Sequence, residues 1–293
     1  MSVRVYLSRW PEKMGGGSNS FSLNFHKYAK RSGIRVVRKI DDADAAIIIA
    51  GRGISPAELQ TARDRGCFVI HRIDEHFGAF TDPNRLKKHE KIADLNRLAS
   101  ITVFQSEFVR QNAQPYLGSE RYCVIYNGGD PAKFRMGNFP GSEIGHITWS
   151  LLEKKGLKDL HQEIEKRPSE KFRLVGLHQK AISLGLDFNR PNALLRGERP
   201  HSKMPAEFRK MKILYFPSRD DPCPNTVVEA ILSGVPVCYH DSGGTPELVR
   251  NCGEPLDQFD ELLYDLEGYR ENCLGRSDLH FDGVFKQYMD LIE

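Results

Sequence analysis

Short apolar runs alternate with longer amphipathic stretches along most of this chain, and that rhythm predicts a parallel α/β architecture. In the N-terminal part, Val3 to Ser8, Ile34 to Val37, Ala45 to Ala50, Cys67 to Ile73, Ile101 to Gln105 and Cys123 to Tyr126 read as strands. Ala45 to Ala50 is almost wholly apolar, as expected of a parallel strand covered on both faces. Met14 to Ser18 reads as a glycine-rich turn, after which Phe21, Phe25 and Tyr28 recur at helical spacing until Gly33. Ser55-Pro56-Ala57-Glu58 combines an N-cap, a first-position proline and a capping-box acid, so a helix starts there. Asn84 to Ala99 is a charged amphipathic helix.

Asn127-Gly128-Gly129-Asp130-Pro131 interrupts the alternation, and the chain stays loop-like through Gly145. A second alternation follows: strand His146 to Trp149, helix Gly156 to Lys166, strands Phe172 to Val175 and Ala193 to Arg196, helix Pro205 to Met211, and strand Ile213 to Phe216. Phe216 to Val249 then reads as strand, loop, helix, strand, Gly-Gly loop and helix. Val227, Val228, Ile231 and Leu232 give the first of these helices its apolar face, and Gly234 ends it. Thr245, before Pro246-Glu247, is the expected N-cap of the second. A final amphipathic helix spans Phe281 to Ile292. The expected division is a first doubly wound domain over 1–135, a second over 136–275, and a terminal helical segment over 276–293.

Composition narrows this picture only slightly. The chain has 293 residues, 40% hydrophobic and 28% charged, which suits a soluble protein of two ordinary domains. Its net charge of +3 gives no argument for nucleic acid as a partner. No apolar run approaches the roughly 18–20 residues of a membrane helix. Arg4, Arg9 and Glu12 break up the N-terminus, against a secretory signal. The six cysteines form no C-x-x-C pair and read as reduced, mostly buried thiols of a cytoplasmic protein.

Candidate chemistry concentrates around the helix that follows Pro224. A helix start presents unpaired N–H groups and partial positive charge, so the amides around Asn225, Thr226 and Val227 suit phosphate. Glu229, one turn on, is placed to accept from sugar hydroxyls, and Asp221 precedes the helix. Gly15, Gly16 and Gly17 follow the first strand, where backbone amides meet phosphate in doubly wound folds; no dinucleotide fingerprint is present. His71-Arg72-Ile73-Asp74 closes a strand, which makes His71 and Asp74 acid/base candidates and Arg72 a neighbouring contact. A metal site on His71, Asp74 and His76 fits no common zinc spacing. Lys155-Gly156 opens a helix in the second domain. Lys27, Lys30 and Arg31, with Lys87, Lys88 and Lys91, make a basic surface that suits either solvent or an anionic membrane.

An acid at 221, seven residues, Glu229, then GVPV and SGGTPELV, resembles the donor-site signature of retaining glycosyltransferases of family 4. The resemblance implies a GT-B fold, with two Rossmann-like doubly wound sheets facing a cleft and a terminal helix crossing back to the first domain. It implies a metal-independent transfer, without cofactor, from a UDP- or GDP-linked sugar to a glycan, glycolipid or lipid-linked hydroxyl. Asp221 would hold the donor sugar, Glu229 the ribose, and Pro224, Asn225, Thr226 and Val227 the diphosphate. Lys155 would neutralise the leaving group, Arg196 would lie by the base, and His71 and Asp74 by the sugar or acceptor. Gly16 and Gly17 would face the donor, and Gly15 and Arg72 the acceptor. Trp149 stands where the family usually has an arginine, and the acid at 221 is Asp, one methylene shorter than usual. A non-catalytic nucleotide-sugar-binding protein and a nucleotide-sugar epimerase of the same fold remain alternatives.

Overall fold

The computed structural model describes residues 3–12, 17–75, 77, 83–137 and 140–293. Gly15, Gly16 and His76, among the residues singled out above, lie outside them. The chain divides into two compact units, Met1–Gly128 with Phe281–Glu293, and Gly129–His280.

The first unit is built on a parallel sheet of β1 (Arg4–Leu7), β2 (Arg35–Val37), β3 (Ala45–Ile49), β4 (Phe68–Ile73), β5 (Ile101–Phe104) and β6 (Tyr122–Val124). Their order is β2-β1-β3-β4-β5-β6, so crossovers run outward from β1 in both directions, the doubly wound pattern. Helices α1 (Gly17–Arg31), α2 (Pro56–Asp64), α3 (Pro83–Arg97) and α4 (Glu107–Leu117) connect the strands. Alternation along each strand separates the two faces. Val5, Leu7, Ile47 and Ile49 pack with Phe21 and Phe25 of α1, while Tyr6, Ala46 and Ile48 pack with Leu59 and Leu95 of α2 and α3. The capping box at Ser55 and Glu58 forms as the sequence indicates. Helix α4 was not legible, because Pro115 lies within it; Ser106 caps its start and Gly118 ends it in the left-handed conformation.

The second unit repeats the plan with β7 (Glu143–Thr148), β8 (Phe172–Gly176), β9 (Ala193–Gly197), β10 (Met211–Phe216), β11 (Val237–Tyr239) and β12 (Gly253–Pro255), ordered β12-β11-β10-β7-β8-β9 and parallel throughout. Its helices are α5 (Leu157–Lys166), α6 (Met204–Phe208), α7 (Asn225–Leu232), α8 (Thr245–Val249), α9 (Phe259–Tyr264) and α10 (Leu266–Leu274). Strand β7 begins at Glu143, inside the stretch read as loop. Gly145 permits this, since a Cβ there would stand 2.1 Å from Met211 Sδ on the neighbouring strand.

Helix α11 (Phe281–Asp290) belongs to the first unit. Phe281, Phe285 and Tyr288 lie against Phe21 and Phe25 of α1, with ring centroids 5.0–5.8 Å apart. Each such burial contributes roughly 1.5–3 kcal/mol. The chain enters and leaves the second unit at adjacent points: Gly129 donates to Leu279 O at 2.9 Å and bridges in parallel with His280.

The cysteines are free thiols, buried except for half-buried Cys123. Among the described residues no helix is long and apolar enough to cross a membrane, and no three His, Cys, Asp or Glu side chains group to hold a metal ion.

Candidate functional site

At the carboxyl end of the second sheet, the loop between β10 and α7 packs against the loop after β11. Gly244 donates to Asp221 O at 2.9 Å, and Asp220 N to Ser242 Oγ at 3.0 Å. Gly243 is in the left-handed region (φ 70°), and a Cβ on it would meet Asp221 O at 2.6 Å, so only glycine allows this approach.

Pro224 precedes α7 without any side-chain cap. Its carbonyl accepts from Val227 N and Val228 N at 3.1 and 3.2 Å, while the amides of Asn225 and Thr226 take no backbone partner among the described residues. Asn225 Nδ2 and Thr245 Oγ1 are buried and have no hydrogen-bond partner among the described residues. Thr245 is the first residue of α8, whose cap position is Gly244, so its hydroxyl is turned inward and does not cap the helix. With no acid in the first turn of α7, this cluster of donors is a place for an anion.

Lys155 ends a 3-10 turn (Glu153–Lys155) and reaches Asp221 Oδ2 at 2.8 Å and Ser218 Oγ at 3.2 Å. Gly156 holds the turn in place at φ 66°, where a Cβ would lie 2.3 Å from Pro217 O. Gly156→Ala should therefore lower stability by roughly 2–4 kcal/mol, through backbone strain and the clash together. A denaturant titration checks this, and an unchanged midpoint would show that the turn can relax. Lys154 is exposed, and Trp149 is 45% exposed beyond the end of β7.

Glu229 lies one turn into α7 and is only 8% exposed. His201, from the 3-10 turn His201–Lys203, places Nε2 2.6 Å from Glu229 Oε1. Lys133 Nζ stands 2.8 Å from the other nitrogen, Nδ1. Lys133 carries no site signal in the sequence, whereas His201 ends the segment from Arg196 that the resemblance places by the base. Arg196 turns toward Glu207 at 3.5 Å, as does Arg199 at 3.6 Å, and Glu207 is also ion-paired with Arg173 at 2.7 Å. Arg196 is thus tied into a partly buried ion network.

Beneath the Lys155 turn, His146 Nδ1 and His178 Nε2 meet at 2.7 Å in the core. Burial pushes both below the ordinary value of 6.5, His178 to about 3. The unfolded chain takes up these protons below about 6.5, whereas the folded chain resists, so the pair's contribution is whole above that pH and declines below it. The loss grows as the pH falls through and below that value. Urea midpoints measured from pH 7 to pH 5 should fall, and fall less steeply in His178→Phe.

In the first unit, the acid/base candidates lie in different surroundings. His71 is fully buried, its ring nitrogens 2.9 Å from Asn96 Oδ1 and from Ala50 O, and burial lowers its pKa. It sits on a central strand covered on both faces, with both ring nitrogens engaged inside the unit. Arg72 is likewise buried: it donates to Asn127 Oδ1 at 2.6 Å and lies over the Phe21 ring. Asp74 faces Arg52 Nη1 with both oxygens, at 3.0 and 3.2 Å. Gly17 is the first residue of α1.

Residues 144–261 match the family described as Glycosyl transferases group 1. No curated protein shows a matching sequence. Among solved structures, sucrose-phosphate synthase from Thermosynechococcus elongatus is similar with a TM-score of 0.77 at 11% identity, over 99% of this chain and 98% of that one. Anabaena HepE in complex with UDP gives 0.73 at 16%, over 100% and 99%. An alpha-glucosyltransferase in complex with UDP and a 13-mer DNA containing a HMU base gives 0.75 at 13%, over 100% of both chains.

Proposed function

We propose that this chain, which has the GT-B fold and matches the Glycosyl transferases group 1 family over residues 144–261, carries out a retaining, metal-independent transfer of sugar from a nucleotide-diphosphate sugar to a hydroxyl acceptor. The carrying observation is the group of unmet donors at the start of α7, flanked by the Lys155–Asp221 pair and followed by Glu229. The amides of Asn225 and Thr226 receive the diphosphate, Glu229 accepts from the ribose, and Asp221 holds a hydroxyl of the sugar. Two similar structures are complexes with UDP, which favours a uridine donor.

In the reaction the bond from the anomeric carbon to the β-phosphate oxygen breaks, and the acceptor oxygen bonds to that carbon from the same face. The acceptor's proton passes to the departing diphosphate, and no cofactor is required. Positive charge grows on the sugar ring and negative charge on the diphosphate, where Lys155 and the α7 amides stabilise it. The acceptor in this reading is a glycan or a lipid-linked hydroxyl, met with or without peripheral membrane attachment. The free thiols suit a reducing compartment such as the cytoplasm.

Incubation with UDP- and GDP-sugars and hydroxyl acceptors, read by mass spectrometry and NMR, tests the proposal. An α-linked product from an α-linked donor supports it, and an inverted product rejects the mechanism. Trp149 in place of a charged residue favours a second reading, a nucleotide-sugar-binding protein without turnover. Saturable binding with neither transfer nor hydrolysis would support that reading.

A further inference from the structure

We propose that His201 is a positioning residue for Glu229, and that Lys133 fixes the histidine tautomer that makes this possible. The inference rests on the reading above in which Glu229 meets the ribose. An ammonium group only donates, so Lys133 Nζ at 2.8 Å requires an unprotonated Nδ1. The ring proton then sits on Nε2 and is donated to Glu229 Oε1 at 2.6 Å. The row reads cation, neutral imidazole, carboxylate. It holds one oxygen of a nearly buried acid and leaves Oε2 for a hydroxyl group.

The row is assembled from parts distant in sequence. Lys133 lies in a turn closed by Lys133 N and Phe134 N donating to Asp130 O at 3.0 and 2.9 Å. Phe134 packs between His201 and Phe208, with ring centroids 5.5 and 5.9 Å away. The segment on which the chain enters the second unit therefore supports the imidazole from behind. A carboxylate removed from water needs a donor to keep its orientation, and an imidazole fixed by a second charge gives it only one.

Calorimetry with UDP and with 2′,3′-dideoxyuridine diphosphate separates the possibilities. His201→Phe keeps the ring but loses the donor, and should weaken UDP binding about tenfold. His201→Gln restores an N–H donor and should bind within about threefold of the parent. On the dideoxy analogue, which offers Glu229 no hydroxyls, His201→Phe and parent should bind alike. Nitrogen NMR should show the Nε2–H tautomer in the parent and its loss in Lys133→Met, a variant that leaves the 201 turn intact. The proposal is overturned by an Nδ1–H tautomer in the parent, by unchanged UDP affinity in His201→Phe, or by an equal loss on both ligands. If Glu229→Ala binds UDP as the parent does, the ribose reading itself has failed. Loss there, with none in His201→Phe, rejects the positioning role alone.

Discussion

Glu229→Ala should reduce UDP affinity about a hundredfold while leaving the thermal midpoint nearly unchanged. The carboxylate is charged and almost buried, and hydrogen bonds to such a group contribute about 1.5–3 kcal/mol each. Two ribose hydroxyls sharing the free oxygen Oε2 would each contribute at the low end of that range, roughly 3 kcal/mol together, or two orders of magnitude in the dissociation constant. The fold should tolerate the change, because His201 is on the solvent side of the pair, with its side chain 35% exposed against 11% for Glu229. The apolar face of α7, with Val227, Val228 and Ile231 fully buried, is untouched. Calorimetry with UDP and a thermal melt decide the matter together. Unchanged affinity would remove Glu229 from the nucleotide site, and a collapsed melting transition would make its role structural.

Why α7 was legible while its partners were not follows from distance along the chain. The acid at 221, the uncapped start at Asn225, the apolar face and the stop at Gly234 lie within one supersecondary unit, and local patterning reports such units. Glu229's contact with His201 spans 28 residues, and Lys133 reaches His201 across 68. No local signal marks either. The same limit hides the burial of His71 and Arg72. A polar residue near the carboxyl end of a strand points to a ligand edge, but the pattern does not say which residues are roofed over. Here Asn96, Ala50 and Asn127 supply their partners from three separate elements. Helix α4 was hidden for a different reason: Pro115 lowers helix propensity where Ser106 and Gly118 mark the ends. The strand start at Glu143 depended on Met211, a residue that a linear reading does not pair with Gly145.

Lys155→Met should lower the transfer rate about a thousandfold and UDP affinity no more than about tenfold. The asymmetry is the point of the experiment. In the proposed reaction the diphosphate already carries charge in the ground state, and the α7 amides with Glu229 would hold most of the nucleotide. As the anomeric bond breaks, further negative charge collects on the β-phosphate, and an ammonium fixed by Asp221 at 2.8 Å and Ser218 at 3.2 Å needs no reorganisation to meet it. Trp149 brings no charge to this end of β7, so the demand on Lys155 is greater than where an arginine shares it. Methionine keeps the unbranched stem and removes the ammonium, with its charge and its hydrogen bonds to Asp221 and Ser218, while Gly156 still fixes the turn. Asp221 is left without its cation but keeps partial contact with water, so folding should be little affected. Lys155→Arg should recover part of the rate, because the charge returns in a different shape. Single-turnover kinetics with a saturating donor give the rate, and calorimetry gives the affinity. A variant that loses both in equal measure would make Lys155 a binding residue, and one that loses neither would place the leaving group elsewhere.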